Sequence, residues 1–214
     1  MNSQGLAQKV NEAIGQWAKD VPKLVVAIDG YTGVGKTTLL NALVALNADI
    51  LPINRDDFLF SRKIMEEKFT KVKDKSEIFE REACDDQKFI SLVSAFKNNE
   101  QSLTLKVYDG VSGKTDEPKT FDLSKKIMVV EGVFMFHPEL PLNKLWDKRI
   151  YLRGDIEKID ERRIKREKER WGKDYFPETH PDSYFRQVTI GLKRYAELHK
   201  PEETADLVLD IDEN

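Results

Sequence analysis

The chain has 214 residues, enough for one α/β domain with a sizeable core and a small lid or insertion. Lysine and arginine number 35 and aspartate and glutamate 38, a formal charge of −3, so no basic excess argues for nucleic acid or an anionic membrane as partner. A single cysteine, Cys84, excludes an internal disulfide.

Met1–Asp20 is polar, lacks the apolar core of a signal peptide, and places Leu6, Val10, Ala13, Ile14 and Trp17 at helical spacing. The spacing predicts an amphipathic helix over 1–21, ended by Pro22. Its exposed part leaves room for a homo-oligomer contact that nothing in the sequence demands. No apolar run approaches 18 residues, so a cytoplasmic protein is the expectation.

Leu24–Gly30 reads as a buried strand, followed by a glycine-bearing loop and a helix from Lys36. The loop, Gly30-x-x-x-x-Gly35-Lys36-Thr37, has the phosphate-binding pattern, which chance gives in roughly one chain in a hundred of this length. Its glycines let the backbone come close to an anion, and the amides of 33–38 can form a nest at a helix N-terminus. Lys36 adds a charge for the β- and γ-phosphates, and Thr37 is placed to ligate Mg2+. Gly30, Gly33, Val34, Gly35, Lys36, Thr37 and Thr38 are the candidate cofactor-binding residues, with ATP and Mg2+ as the cofactors.

Ile50–Asn54 reads as a second short strand that delivers Arg55-Asp56-Asp57-Phe58 to a strand end, where open parallel sheets gather ligands. Two carboxylates there suit a general base or a metal contact. The alternative is an aspartate capping the helix expected near residue 62. Residues 61–82 are densely charged and read as a mobile, solvated segment on the substrate side. A helix is expected over 86–97, then two short strands, Leu103–Tyr108 and Lys119–Phe121, joined by a turn-rich loop.

Lys126–Gly132 is a continuous apolar strand ended by Glu131, the acid expected to face Mg2+ with Thr37. Its unbroken apolar run implies a parallel sheet covered on both faces. After a strand at 149–152, a helix from Asp155 to Trp171 carries Arg162, Arg163, Arg166 and Arg170. The first, third and fourth share a face. They could clamp a transferred phosphoryl group, or belong to a solvated face laced by pairs such as Glu161–Lys165. Another helix follows over 183–200 and a strand closes the chain at 205–210. His137, His180 and His199 lie far apart without metal-ligand spacing, and none is expected to have a catalytic role.

Taken in order, these motifs resemble those of the uridine kinase / phosphoribulokinase group of P-loop small-molecule kinases, which includes nicotinamide riboside kinases. The resemblance spans about residues 25–210. It rests on Ile28-Asp29-Gly30, Gly35-Lys36-Thr37-Thr38, Asp56-Asp57-Phe58, Val107-Tyr108-Asp109, Val130-Glu131-Gly132-Val133, Arg162–Glu167, Gln187 and Ala205–Leu209. It implies a three-layer α/β P-loop fold with a five-stranded parallel sheet and an arginine-bearing lid at 155–181. Residues 61–82 and 108–121 would be acceptor-side insertions of the single domain.

The reaction it implies is transfer of the γ-phosphoryl group of ATP to a hydroxyl of a small molecule, a nucleoside by closest analogy. Asp56 would be the general base, with Asp57 as the neighbour that could be mistaken for it. Lys36, Arg162, Arg163 and Arg166 would stabilise charge, and Thr37 and Glu131 would hold Mg2+. Acceptor-side candidates are Asp56, Glu80, Tyr108, Arg170 and Gln187. The chain departs from the family on that side: Glu80-Arg81-Glu82 stands where uridine kinases carry Asp-His-Pro, Gly113 replaces a histidine, and Trp171 interrupts an Arg-Gly pair. Another small alcohol or a sugar therefore stays open as acceptor, as does a nucleotide-binding regulatory protein that phosphorylates nothing. A GTPase-like switch lacks its guanine-reading segment, since Asn143-Lys144-Leu145-Trp146 has no aspartate.

Overall fold

The computed structural model describes residues 3–212, without the side chains of Ser3, Gln4 and Asp174. Five strands form one parallel sheet: β1 (Leu24–Gly30), β2 (Ile50–Asn54), β5 (Ile127–Glu131), β6 (Lys148–Arg153) and β7 (Leu207–Asp210), in the order β2-β5-β1-β6-β7. All seven residues of β1 and all five of β5 are buried. Continuous apolar runs occupy the middle of the sheet because helices cover both of its faces there.

The register aligns the strand ends. Asn54 pairs with Glu131, and Ile28 with both Glu131 and Ile150. The first loop, Asp56 and Glu131 therefore emerge along one edge, the carboxyl ends of the central strands.

Around the sheet stand α1 (Ser3–Trp17), α2 (Lys36–Leu46), α5 (Asp86–Lys97), α6 (Ile156–Trp171) and α7 (Tyr184–His199). Helix α1 buries Ala7, Val10 and Ile14 in the main core and packs on α2. Its apolar stripe is thus used within the chain. An antiparallel hairpin, β3 (Ser102–Val107) with β4 (Glu117–Asp122), makes a separate two-stranded sheet that buries Val107 and Phe121 in the main core. Among the described residues no helix is long and apolar enough to cross a membrane.

Residues 61–82 differ from the solvated segment expected of them. They fold into α3 (Arg62–Phe69) and α4 (Lys75–Arg81). Met65, Ile78 and Ala83 form a second small core with Leu59, Phe60, Phe69, Val72 and Phe79 packed against it. Charges outnumber apolar residues here, yet Met65 and Phe69 of α3 and Ile78 and Phe79 of α4 turn into this small core, while Ile64 stays exposed. Ser61 caps α3 by accepting from the Ile64 amide at 3.4 Å. Neither Asp56 nor Asp57 is that cap; both sit in a 3₁₀ turn, Arg55–Phe58, capped by Asn54.

Candidate active site

The phosphate loop is set by its glycines. Gly33 has φ +85° and Gly35 φ +108°, left-handed values that favour glycine. A Cβ at Gly35 would meet no atom within 4 Å, so the backbone there borders open space. A Cβ at Gly33 would lie 2.6 Å from Arg163 Cγ. Lys36 is buried and donates to the carbonyls of Gly30 (2.9 Å) and Tyr31 (3.1 Å). Burial pulls its pKa down, while Asp29, Glu131 and Asp56 oppose that shift. Thr37 donates its hydroxyl to Glu131 Oε1 at 2.8 Å. Burial raises the Glu131 pKa, against that hydrogen bond and the Lys36 charge.

These groups line a cleft of about 450 Å³ together with Asp56, Cys84 and Arg166. The Cys84 thiol is pushed up to about 11, chiefly by burial, and stays protonated at neutral pH. The cradle fits a polyphosphate: a lysine, a nest of amides and open space meet at one helix N-terminus. A hydroxyl and a carboxylate 2.8 Å apart are hard oxygen donors suited to Mg2+.

The two aspartates differ. Asp57 is engaged by Lys119 at 2.7 Å and its backbone carbonyl accepts from the Tyr108 amide. Asp56 lines the cleft. Its pKa is raised, first by desolvation, with Lys36 and Arg55 opposing and Asp57 adding to the rise. It also lines a second cavity of about 730 Å³, whose walls include Phe60, Phe79, Tyr108, Trp171 and Tyr184.

Helix α6 starts on Asp155, which accepts from the amides of Glu157 and Lys158. Its arginines reach separate places. Arg166 lines the phosphate-side cleft and Arg170 the aromatic cavity. Arg162 lines a third recess of about 290 Å³ beside Gly33, Val34, Gly35 and Thr38. Arg163 is buried, bound to Asp160 (2.6 Å), Tyr31 (3.2 Å) and Thr189 (3.2 Å), with its guanidinium 4.0 Å from the centre of the Phe185 ring. It docks α6 on the loop.

Glu80 and Gln187 stand apart from this assembly. Glu80 is buried against His137 and Arg194, and Gln187 donates to the Pro181 carbonyl at 2.6 Å. Sequence reasoning assigned no role to Asp29, a fully buried carboxylate at the end of β1. It accepts from the amides of Gly30 (2.7 Å) and Met135 (2.9 Å) and from the Tyr195 hydroxyl (2.7 Å). The available signal was a lone acid closing a wholly apolar strand, which must find donors.

A parallel sheet, a glycine-lysine-threonine loop after its first strand and a facing acid define a P-loop kinase acting on a small molecule. Residues 25–189 match the phosphoribulokinase / uridine kinase family, and the chain belongs to it. A uridine kinase of Borrelia duttonii is 29% identical over 188 residues, covering 86% of this chain and 85% of that relative. A structure described as a possible uridine kinase from Bacillus stearothermophilus superposes with a TM-score of 0.73. It is 21% identical and covers 98% of this chain and 100% of its own. Phosphoribulokinase from Rhodobacter spheroides shares the fold with a TM-score of 0.60 at 12% identity, over 88% of this chain and 70% of that one.

Proposed function

We propose that the protein transfers the γ-phosphoryl group of ATP to a hydroxyl of a small molecule, most consistently a nucleoside as in uridine kinases. The observation that carries this is the position of Asp56, which lines both the phosphate-side cleft and the aromatic cavity. A hydroxyl presented from the cavity would meet a carboxylate beside the phosphate cradle. The aromatic walls suit the flat face of a base.

Mg-ATP supplies the phosphoryl group and the charge neutralisation, with Thr37 and Glu131 as the residues that would hold the ion. Asp56 takes the proton as the acceptor oxygen bonds to phosphorus and the bond to the ADP oxygen breaks. Lys36, the loop amides and Arg166 offset charge. Arg162 borders the recess behind the loop, and Arg163 keeps α6 seated. Residues 155–181 act as the lid, and 61–82 and 108–121 shape the acceptor side of the single domain. A cytoplasmic location and a small-molecule partner accord with this chemistry.

A different alcohol or a sugar is the second reading. It is favoured by Glu80, which stands where a family acceptor motif is expected but is turned into a buried network. ADP release with Mg-ATP across nucleosides, nicotinamide riboside, pantothenate and simple sugars tests both readings. Stimulation by uridine or cytidine with a monophosphate product supports the first. Stimulation by a sugar or simple alcohol alone supports the second. Tight ATP binding with no stimulation by any acceptor would favour a regulatory protein.

A further inference from the structure

Away from the phosphate loop, the fold brings together two histidines separated by 62 positions in sequence. The His137 and His199 rings lie 4.3 Å apart, centre to centre. Glu80 joins them, with Oε1 3.2 Å from His137 Nε2. One ligand atom from each of Glu80, His137 and His199 lies within 4.8 Å of the other two. Glu80 and His137 are wholly buried, and His199 is half-buried at the end of α7. His199 Nε2 is itself buried and has no hydrogen-bond partner. A buried ring nitrogen without a partner calls for an explanation, and beside a carboxylate and a second imidazole a cation supplies one.

We propose that Glu80, His137 and His199 bind a divalent transition metal of the zinc class. The ion would staple α4, the segment after β5 and the last turn of α7.

Two imidazoles and one carboxylate are a zinc-type donor set, with the fourth position left for water. Mg2+ prefers all-oxygen ligands, so this site is chemically distinct from Thr37 and Glu131. The surroundings are built as a second shell. Arg194 donates to the other Glu80 oxygen, Oε2, at 2.7 Å and reaches Asp74 at 3.0 Å, which fixes the carboxylate. Asp74, Glu80 and Arg194 together leave one uncompensated negative charge, which a cation between the histidines offsets. The neighbouring Arg81 and Glu139 pair with each other and cancel.

One contact runs the other way. His137 Nδ1 accepts from the Glu139 amide at 3.2 Å, so in the metal-free protein the ring proton sits on Nε2 and faces Glu80. Ligation through Nε2 shifts that proton to Nδ1, so the hydrogen bonds to Glu80 and from the Glu139 amide are both given up and must be offset by the coordinate bonds from Glu80 and the two imidazoles.

The test uses the full chain, stripped with chelator and titrated with Co2+. Binding at this site gives a visible d–d absorption that saturates at one ion per chain, reverses with chelator, and raises the melting temperature. His199→Ala and the milder His199→Gln, each checked for folding by circular dichroism, should lose the absorption and the thermal shift. His180→Ala, which lies outside the cluster, should keep both. The proposal is overturned if the wild-type chain shows neither signal at Co2+ of the order of a millimolar. It is equally overturned if folded His199 variants retain both signals.

Discussion

The Tyr195 hydroxyl donates to Asp29 Oδ2 at 2.7 Å, across 166 positions of sequence, and accepts from the Phe136 amide at 3.0 Å. One phenol thereby ties α7 to the end of β1 and to the segment after β5, directly behind the phosphate loop. Tyr195→Phe keeps the ring and deletes only the oxygen. It strips a donor from a fully buried carboxylate and the acceptor of a backbone amide. The expected cost is about 1–3 kcal/mol. In a domain of this size that lowers the melting temperature by roughly 2–4 °C for each kcal/mol, which calorimetry would read.

Asp56 and Asp57 are adjacent but held differently, and the difference predicts which is the base. Asp56→Asn should lower turnover by about 10²–10⁴-fold with ATP binding retained. Asp57→Asn loses the Lys119 pair and should cost far less in turnover. Lys36→Ala should weaken ATP binding and turnover together. Near-wild-type turnover in Asp56→Asn would remove it from the mechanism.

The raised pKa of Asp56 sets the pH dependence. A general base works as the carboxylate, so activity is present above its pKa and falls as pH drops through it. The acid limb of kcat/KM should therefore lie above the ordinary aspartate value of about 3.9. In Asp56→Asn the residual rate should lose that limb. A wild-type profile flat down to pH of about 4 would contradict the assignment.

Gly33 carries two constraints at once, a left-handed φ and the flank of Arg163. In Gly33→Ala the new Cβ collides with a side chain already held by Asp160 and Phe185. Destabilisation of roughly 1 kcal/mol or more is expected, because the native φ does not suit alanine. Binding of a fluorescent ATP analogue should weaken alongside it. A variant with unchanged melting and affinity would show that the loop adapts freely.

The phosphate loop, its flanking strand and helix, and the acid at the end of β5 were legible because each is local. Glycine, lysine and threonine at fixed spacing after an apolar run leave little freedom. Within residues 61–82 only the helix start near residue 62 was legible; the packed arrangement was not, because the apolar positions are few and dispersed among charges and α4 is held chiefly against α7, far along the chain. The four arginines of α6 show the same limit. Helical spacing puts Arg162, Arg166 and Arg170 on one face, but only the docked helix assigns them to three separate recesses and buries Arg163.

By itself, the sequence determined the strands of the parallel sheet, the main helices outside residues 61–82 and the phosphate cradle, since periodicity and short-range spacing encode all of these. Tertiary structure decided everything that depends on distance along the chain. It gave Asp29 its donors from positions 135 and 195, drew Lys119 to Asp57 and so left Asp56 facing the cleft, and turned Glu80 away from the acceptor side. It also set His137 against His199. A buried polar group must find partners wherever the fold brings them, and no local pattern records which distant residue that is.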